Sequence, residues 1–281
     1  MRIFFTIFVP LMDRHIDIMG IVNLTDDSFY SGSRCSGVDA ALSRIETMLS
    51  EGAHIIDLGA CSTRPGSMPV GEDQEWSRLE PVLKELKVSF PDINLSIDTY
   101  WASVVRKAYD LVGDFIVNDI SAGEDDPQML PTVGALGLTY VAMHKRGDTL
   151  TMSGMTDYEN VVRDVKAYFD DFSIKAEYYG IKDWILDPGI GFSKTIDQNY
   201  ELLKSLEVFK TVRVAGGQSP RILVGVSRKS LIYKYLNISP DESLPATQVL
   251  NFAALQNGAD ILRVHDVAEA ARTVALYRQL A

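Results

Sequence analysis

The chain has 281 residues, with 27 Lys plus Arg against 38 Asp plus Glu and a formal charge of −11. Apolar residues make up 46% and charged residues 23%, a balance that excludes a disordered chain, a collagen-like chain and a disulfide-bonded miniprotein. So much negative charge gives no general attraction to nucleic acids or anionic membranes, so a polyanionic ligand requires a local cluster of cations.

Residues 3–12 are almost all apolar and follow Arg2. The run is too short to span a bilayer, which takes about 20 residues. Asp13-Arg14-His15 lacks the small residues of a signal cleavage site, so residues 1–15 read as an N-terminal extension. From residue 16 onward one rhythm repeats. Short Ile- and Val-rich runs read as buried parallel strands at 16–22, 54–58, 95–98, 115–118, 139–143, 183–187, 222–226 and 261–264. Helix-period stripes lie between them. They include Val38, Ala41, Leu42, Ile45, Met48 and Leu49; Trp76, Leu79, Leu83 and Leu86; and Tyr158, Val161, Val162, Val165, Tyr168, Phe169 and Phe172. Two more stripes are Ala246, Val249, Leu250 and Ala253, and Val267, Ala270, Ala271 and Val274. Gly52, Gly113, Gly137, Gly180 and Gly258 stand where helix-terminating glycines belong. Eight such units over roughly 265 residues favour a single (β/α)8 TIM barrel over an open doubly wound sheet. One barrel domain is expected over residues 16–281.

The strand ends carry the polar chemistry. They read NLTDDSF at 23–29, STRPG at 62–66, Asp98, Asn118-Asp119, Met143-His144, DPGIGF at 187–192, SRKS at 227–230 and Arg263-Val264-His265. In a barrel these ends converge on one mouth, where barrel enzymes place their sites. Taken alone, Asp98 also reads as a helix N-cap, His265 as a structural histidine and Lys229 as a solvated lysine. His54 reads as structural. Residues 23–37 and 59–73 are expected as long loops after strands 1 and 2; paired lids there would exclude water from a reactive intermediate. Cys35 and Cys61 form neither a disulfide framework nor a CxxC metal pair, and they fit a reduced, cytoplasmic setting.

MGIVNLTDDSF, GACSTRPGS, SIDT, VNDI, MHKRG, LDPGIGF, GVSRKS and LRVHD occur in this order. Together they resemble the dihydropteroate synthases of folate biosynthesis, from residue 19 to near the C-terminus. The resemblance implies a transferase that joins 6-hydroxymethyl-7,8-dihydropterin pyrophosphate to p-aminobenzoate by an SN1-like path, with Mg²⁺ on the leaving pyrophosphate. It also implies sulfonamide inhibition and a homodimer. Partners are small-molecule substrates, with no nucleic acid and no membrane.

The resemblance implies that Asp98, Asn118, Asp187 and Lys229 bind the pterin, whose buried N–H donors need acceptors. Asp187 also faces charge developing on the ring, and Asp27, Asp187 and Lys229 are the catalytic set. Arg64, Arg263 and His265 take the pyrophosphate, for which arginine forks are suited. Asn23 matches the Mg²⁺ contact. Thr63, Pro65, Phe192, Lys229 and Ser230 surround p-aminobenzoate, with Arg228 a further donor to its carboxylate and Ser230 opening a helix whose N-terminus favours an anion. Asp26 stands where the family carries proline, which adds flexibility and negative charge to loop 1. Two alternatives are a non-catalytic pterin-binding paralogue and a methyltetrahydrofolate methyltransferase.

Overall fold

The computed structural model describes residues 14–24, 34–61 and 70–280. Eight parallel strands close in sequence order into a barrel. They are β1 (Asp17–Asn23), β2 (Ile55–Gly59), β3 (Leu95–Asp98), β4 (Ile116–Asp119), β5 (Thr139–Met143), β6 (Trp184–Asp187), β7 (Arg221–Val224) and β8 (Ile261–Val264). Each matches an expected strand with ends shifted by at most two residues. Closure is made by β1 on β8, where Asp17 pairs with Ile261 and Gly20 with Val264.

Helices on the outside separate the strands: α1 (Arg34–Ser50), α2 (Glu72–Ser89), α3 (Ala102–Val112), α4 (Met129–Leu136), α5 (Val161–Tyr178), α6 (Ile196–Lys204), α7 (Leu206–Phe209), α8 (Ser230–Leu236), α9 (Leu244–Gln256) and α10 (Val267–Leu280). Helix α5 shows why these segments coil. Asn160 caps it by accepting from the Arg163 N–H at 2.8 Å, and Val161, Val165, Phe169, Phe172 and Ala176 share its buried face. Their spacing of three and four residues makes one apolar stripe. Phe172 then meets the Trp184 ring of β6 edge-on at 4.9 Å. Tyr158, expected in this stripe, precedes the helix. Gly137 ends α4 in the left-handed region at φ +70°, where a side chain would be strained.

Two expected boundaries move. The backbone is already helical from Arg34 and from Glu72, inside the stretches 23–37 and 59–73 expected as loops. Residues 25–33 and 62–69 lie outside the described residues.

The barrel interior has a dry floor. Met19, Ile55, Ile116, Val141, Ile185, Leu223 and Ile261 form a separate buried cluster with one residue from each strand except β3. Side chains alternate along a strand, so residue i+2 points the same way one layer higher. Two residues above this floor stand Ile21, Asp57, Asn118, Met143, Asp187, Gly225 and Arg263. The same inward layer is therefore apolar below and mostly polar toward the strands' C-terminal ends.

Candidate active site

That upper layer gathers two carboxylates, an amide and a guanidinium. Asp57, with no exposure, is its hub. Ser96 Oγ donates to Asp57 Oδ1 at 2.6 Å. Asn118 Nδ2 donates to Asp57 Oδ2 at 3.1 Å, and Arg263 Nε donates to the same oxygen at 2.7 Å. A carboxylate only accepts, so this contact fixes the Asn118 amide with its carbonyl oxygen turned away from Asp57. Arg263 reaches further, and its Nη2 donates to Asp98 Oδ2 at 2.8 Å.

Register places Asn23 opposite Gly59, Gly59 opposite Asp98, and Asp98 opposite Asn118. These four form one row across β1 to β4. Gly59 lies between the two side chains of this row: a methyl group there would make ordinary contacts of 3.5 Å with Asn23 Oδ1 and with the Asp98 Cβ. Burial pushes the Asp98 carboxyl upward, Arg263 opposes that shift, and Asp57, Glu75 and Asp119 reinforce it. Asp98 is not a helix N-cap. The first turn of α3 is met instead by Asp126 Oδ2, which accepts from the Ala102 N–H at 2.8 Å.

Across the mouth, Asp187 ends β6. Its Oδ1 accepts from the Gly189 N–H at 2.8 Å. Burial raises its pKa, against Lys229, the Gly189 N–H, Arg263 and Lys194. Lys229 precedes α8 and bends back into the site. Its Nζ donates to Ile190 O at 2.5 Å and lies 4.6 Å from the centre of the Phe192 ring. Burial pushes this ammonium down to about 8, with Asp187 pulling the other way. Gly191 gives Lys229 its path, because a Cβ there would meet the lysine Cδ at 2.9 Å. Phe192 packs against the buried cluster of Cys61, Tyr100, Ile120 and Met143.

His265 Nδ1 and Ser227 Oγ are 3.0 Å apart, while the His265 carbonyl accepts from Arg44 Nη2 at 2.7 Å. Ser230 is the first residue of α8. Arg228 is engaged elsewhere: Nε and Nη2 donate to the two oxygens of Asp266 at 3.1 and 2.8 Å. That fork holds it away from the donor role expected for it. His54 sits at the other end of the barrel, where Nδ1 accepts from the Ile18 N–H at 3.0 Å. His144 touches Lys194, with Nδ1 3.0 Å from Nζ.

The structure thus collects Asn23, Asp98, Asn118, Asp187, Phe192, Lys229, Ser230, Arg263 and His265 around one end of the barrel. Asp27, Thr63, Arg64 and Pro65 fall outside the described residues. Sequence reasoning missed Asp57 and Lys194. A carboxylate inside the Ile- and Leu-rich run 54–58 was the available signal, because a buried charge must be paired.

Such a site offers acceptors on one wall, cations beside them and an apolar ring opposite. It suits a flat ligand with many N–H donors next to an anionic group. Asn23 contributes one half-buried amide oxygen, and among the described residues no three His, Cys, Asp or Glu side chains cluster as a metal cage. That donor set suits a Mg²⁺ held mainly by ligand phosphates and water.

Comparison with known proteins agrees with this geometry. The family described as pterin binding enzyme matches residues 19–265. A dihydropteroate synthase of Synechocystis is 39% identical over 89% of this chain and 85% of its own length. A Clostridium difficile dihydropteroate synthase, crystallised in the presence of pteroic acid, superposes with a TM-score of 0.86 at 35% identity, over 95% of this chain and 97% of that one. A Xanthomonas albilineans dihydropteroate synthase with 4-aminobenzoic acid gives 0.85 at 32% identity, over 96% of this chain and 94% of that one.

Proposed function

The chain belongs to the pterin binding enzyme family, and from that membership we propose that it acts as a dihydropteroate synthase, a transferase of folate biosynthesis. The substrates are 6-hydroxymethyl-7,8-dihydropterin pyrophosphate and p-aminobenzoate; the products are dihydropteroate and pyrophosphate. One observation carries this reading. Asp98, Asn118 and Asp187 each use one polar atom within the protein, to Arg263, Asp57 and the Gly189 N–H respectively. One side-chain oxygen of each remains to accept from the aminopyrimidine edge of the pterin.

The remaining roles follow from placement. Lys229 Nζ shifts from Ile190 O to share its protons with the pterin's ring oxygen and nitrogen. Asp187 stabilises positive charge spread into the ring as pyrophosphate departs, and in a buried site that attraction is strong. Arg263, His265 and Arg64 hold the pyrophosphate. Asn23 would hold Mg²⁺ through its amide oxygen, and the ion when bound would neutralise charge on the leaving group. Phe192, Pro65 and the Lys229 stem flank the p-aminobenzoate ring, and Thr63 with Ser230 at the start of α8 receives its carboxylate. Asp27 steadies the reacting carbon. The same reading takes residues 16–281 as one domain behind an extension of residues 1–15. It also takes the protein as cytoplasmic, sulfonamide-sensitive and homodimeric. No helix among the described residues is long and apolar enough to cross a membrane. Exposed Val249, Leu276 and Leu280 on α9 and α10 offer apolar surface to a second copy.

The test mixes purified protein with the pterin pyrophosphate and Mg²⁺, with and without p-aminobenzoate. Dihydropteroate formation is the expected result, and pyrophosphate release without the amine would support the SN1-like path. Pterin binding with no product would leave a non-catalytic paralogue. Methyl transfer from methyltetrahydrofolate would identify the methyltransferase.

A further inference from the structure

The turn between β6 and α6 encloses a buried lysine that the proposed reaction does not use. Lys194 Nζ is 3.0 Å from His144 Nδ1, 3.0 Å from Gly189 O, 3.0 Å from Phe192 O and 3.3 Å from His144 O. These are all neutral acceptors. Burial, reinforced by Lys194 and Arg146, pushes His144 down to about 2, so the imidazole is neutral and Nδ1 accepts. Burial pushes the Lys194 amine down to about 7, with Asp187 pulling the other way, so a charged group here is costly to hold. What lysine adds is geometry, because one atom ties the end of β5 to two carbonyls of a single tight turn.

That turn builds one wall of the site. Its Gly189 N–H holds Asp187, its Ile190 carbonyl receives Lys229, and its Phe192 ring faces the Lys229 ammonium. Gly189 is pressed so closely on β5 that a Cβ would lie 1.9 Å from His144 O. On the α6 side, Asn199 Oδ1 accepts from the Gly191 N–H at 2.6 Å. Lys194 grips the turn from behind while Lys229 takes the carbonyl between from the site face.

We propose that Lys194 is a positioning residue, which by clamping Gly189 O and Phe192 O sets Phe192 and Lys229 as the wall against which the aromatic amine lies. The inference rests on the dihydropteroate synthase reading and deepens it. The cluster of Asp57, Asp98, Asn118 and Arg263 stands on other strands and does not depend on the turn. Asp187 and Lys229 touch the turn as well, so loss of Lys194 reaches the pterin in part and falls more heavily on the second substrate.

The test compares the wild-type enzyme with Lys194→Met and Lys194→Gln. KM for p-aminobenzoate is measured by steady-state kinetics and pterin affinity by calorimetry. Lys194→Met is expected to raise the p-aminobenzoate KM about tenfold, since displacements of an ångström in a wall have effects of this order or larger, with a clearly smaller loss of pterin affinity. Lys194→Gln keeps one donor and falls between, and it decides the matter if the methionine variant does not fold. Equal loss toward both substrates, or a lowered Tm with both constants unchanged, would overturn the inference. A wild-type protein that makes no dihydropteroate would overturn the functional reading and this inference with it. Flat variants of an active enzyme would overturn the inference alone.

Discussion

Arg263 and Asp57 stand 206 residues apart in the chain and meet at 2.7 Å, on β8 and β2 with β1 between them. The barrel closure makes this contact. It also settles which face of the guanidinium is committed: Nε and Nη2 are held by Asp57 and Asp98. The cation proposed to receive pyrophosphate is thus anchored by Asp57 and by Asp98, the latter a carboxylate proposed to read the pterin. In that proposal the two halves of the first substrate would meet one connected network.

Asp57→Asn tests that network. The amide keeps the shape but removes the anion facing Arg263. Breaking a buried ion pair on one side costs on the order of 3 kcal/mol, so the urea midpoint should fall clearly. With Arg263 less firmly held, kcat/KM for the pterin pyrophosphate should drop about tenfold or more. Unchanged stability and unchanged kcat/KM together would show that Asp57 is dispensable as an anchor.

Asp98→Asn presents an amide N–H₂ in place of a carboxylate that accepts. A pterin donor left unpaired in a buried site costs roughly 1–3 kcal/mol, so pterin affinity should weaken about 10- to 100-fold. Calorimetry reads this directly. Because Asp98 stands away from the Phe192 turn, KM for p-aminobenzoate should move much less.

The sequence revealed the barrel because its signals were local. Short apolar runs ended in polar residues eight times over, and each run became a strand. Asp98, Asn118 and Asp187 were legible for the same reason, as the last or penultimate residues of apolar runs. Asp57 was not. Its partners Ser96, Asn118 and Arg263 come from three strands, and only the stagger of the closed barrel sets them at one height. Lys194 was hidden differently. It follows a glycine turn, and its carbonyl partners carry no side-chain signature. The starts of α1 and α2 were misplaced because loop-forming residues run on into both helices, as with Ser36-Gly37 in α1.

Asn23→Ala removes the amide oxygen proposed for Mg²⁺. The Mg²⁺ concentration for half-maximal activity should rise, while binding of a pterin lacking phosphate should not change. Mg²⁺ relies chiefly on phosphate and water ligands, so excess metal should restore much of the rate. Failure of high Mg²⁺ to restore any activity would assign Asn23 to something other than the metal.

Lys229 makes a pH prediction whose sign is fixed by its surroundings. Burial lowers its pKa to about 8 against the attraction of Asp187, and the ammonium is the form proposed to donate to the pterin. kcat/KM should therefore fall as pH rises through about 8, as such profiles report groups of the free enzyme. Stability runs the other way. Between about 8 and the ordinary lysine value near 10.4 the unfolded chain binds more protons than the native one at this residue, so its contribution to stability increases with pH. Loss of activity without a falling Tm separates titration of Lys229 from alkaline unfolding. Arginine does not titrate in this range, so Lys229→Arg, though slower, should show a flat profile from pH 7 to 9. An unshifted alkaline limb in that variant would assign the titration to another group.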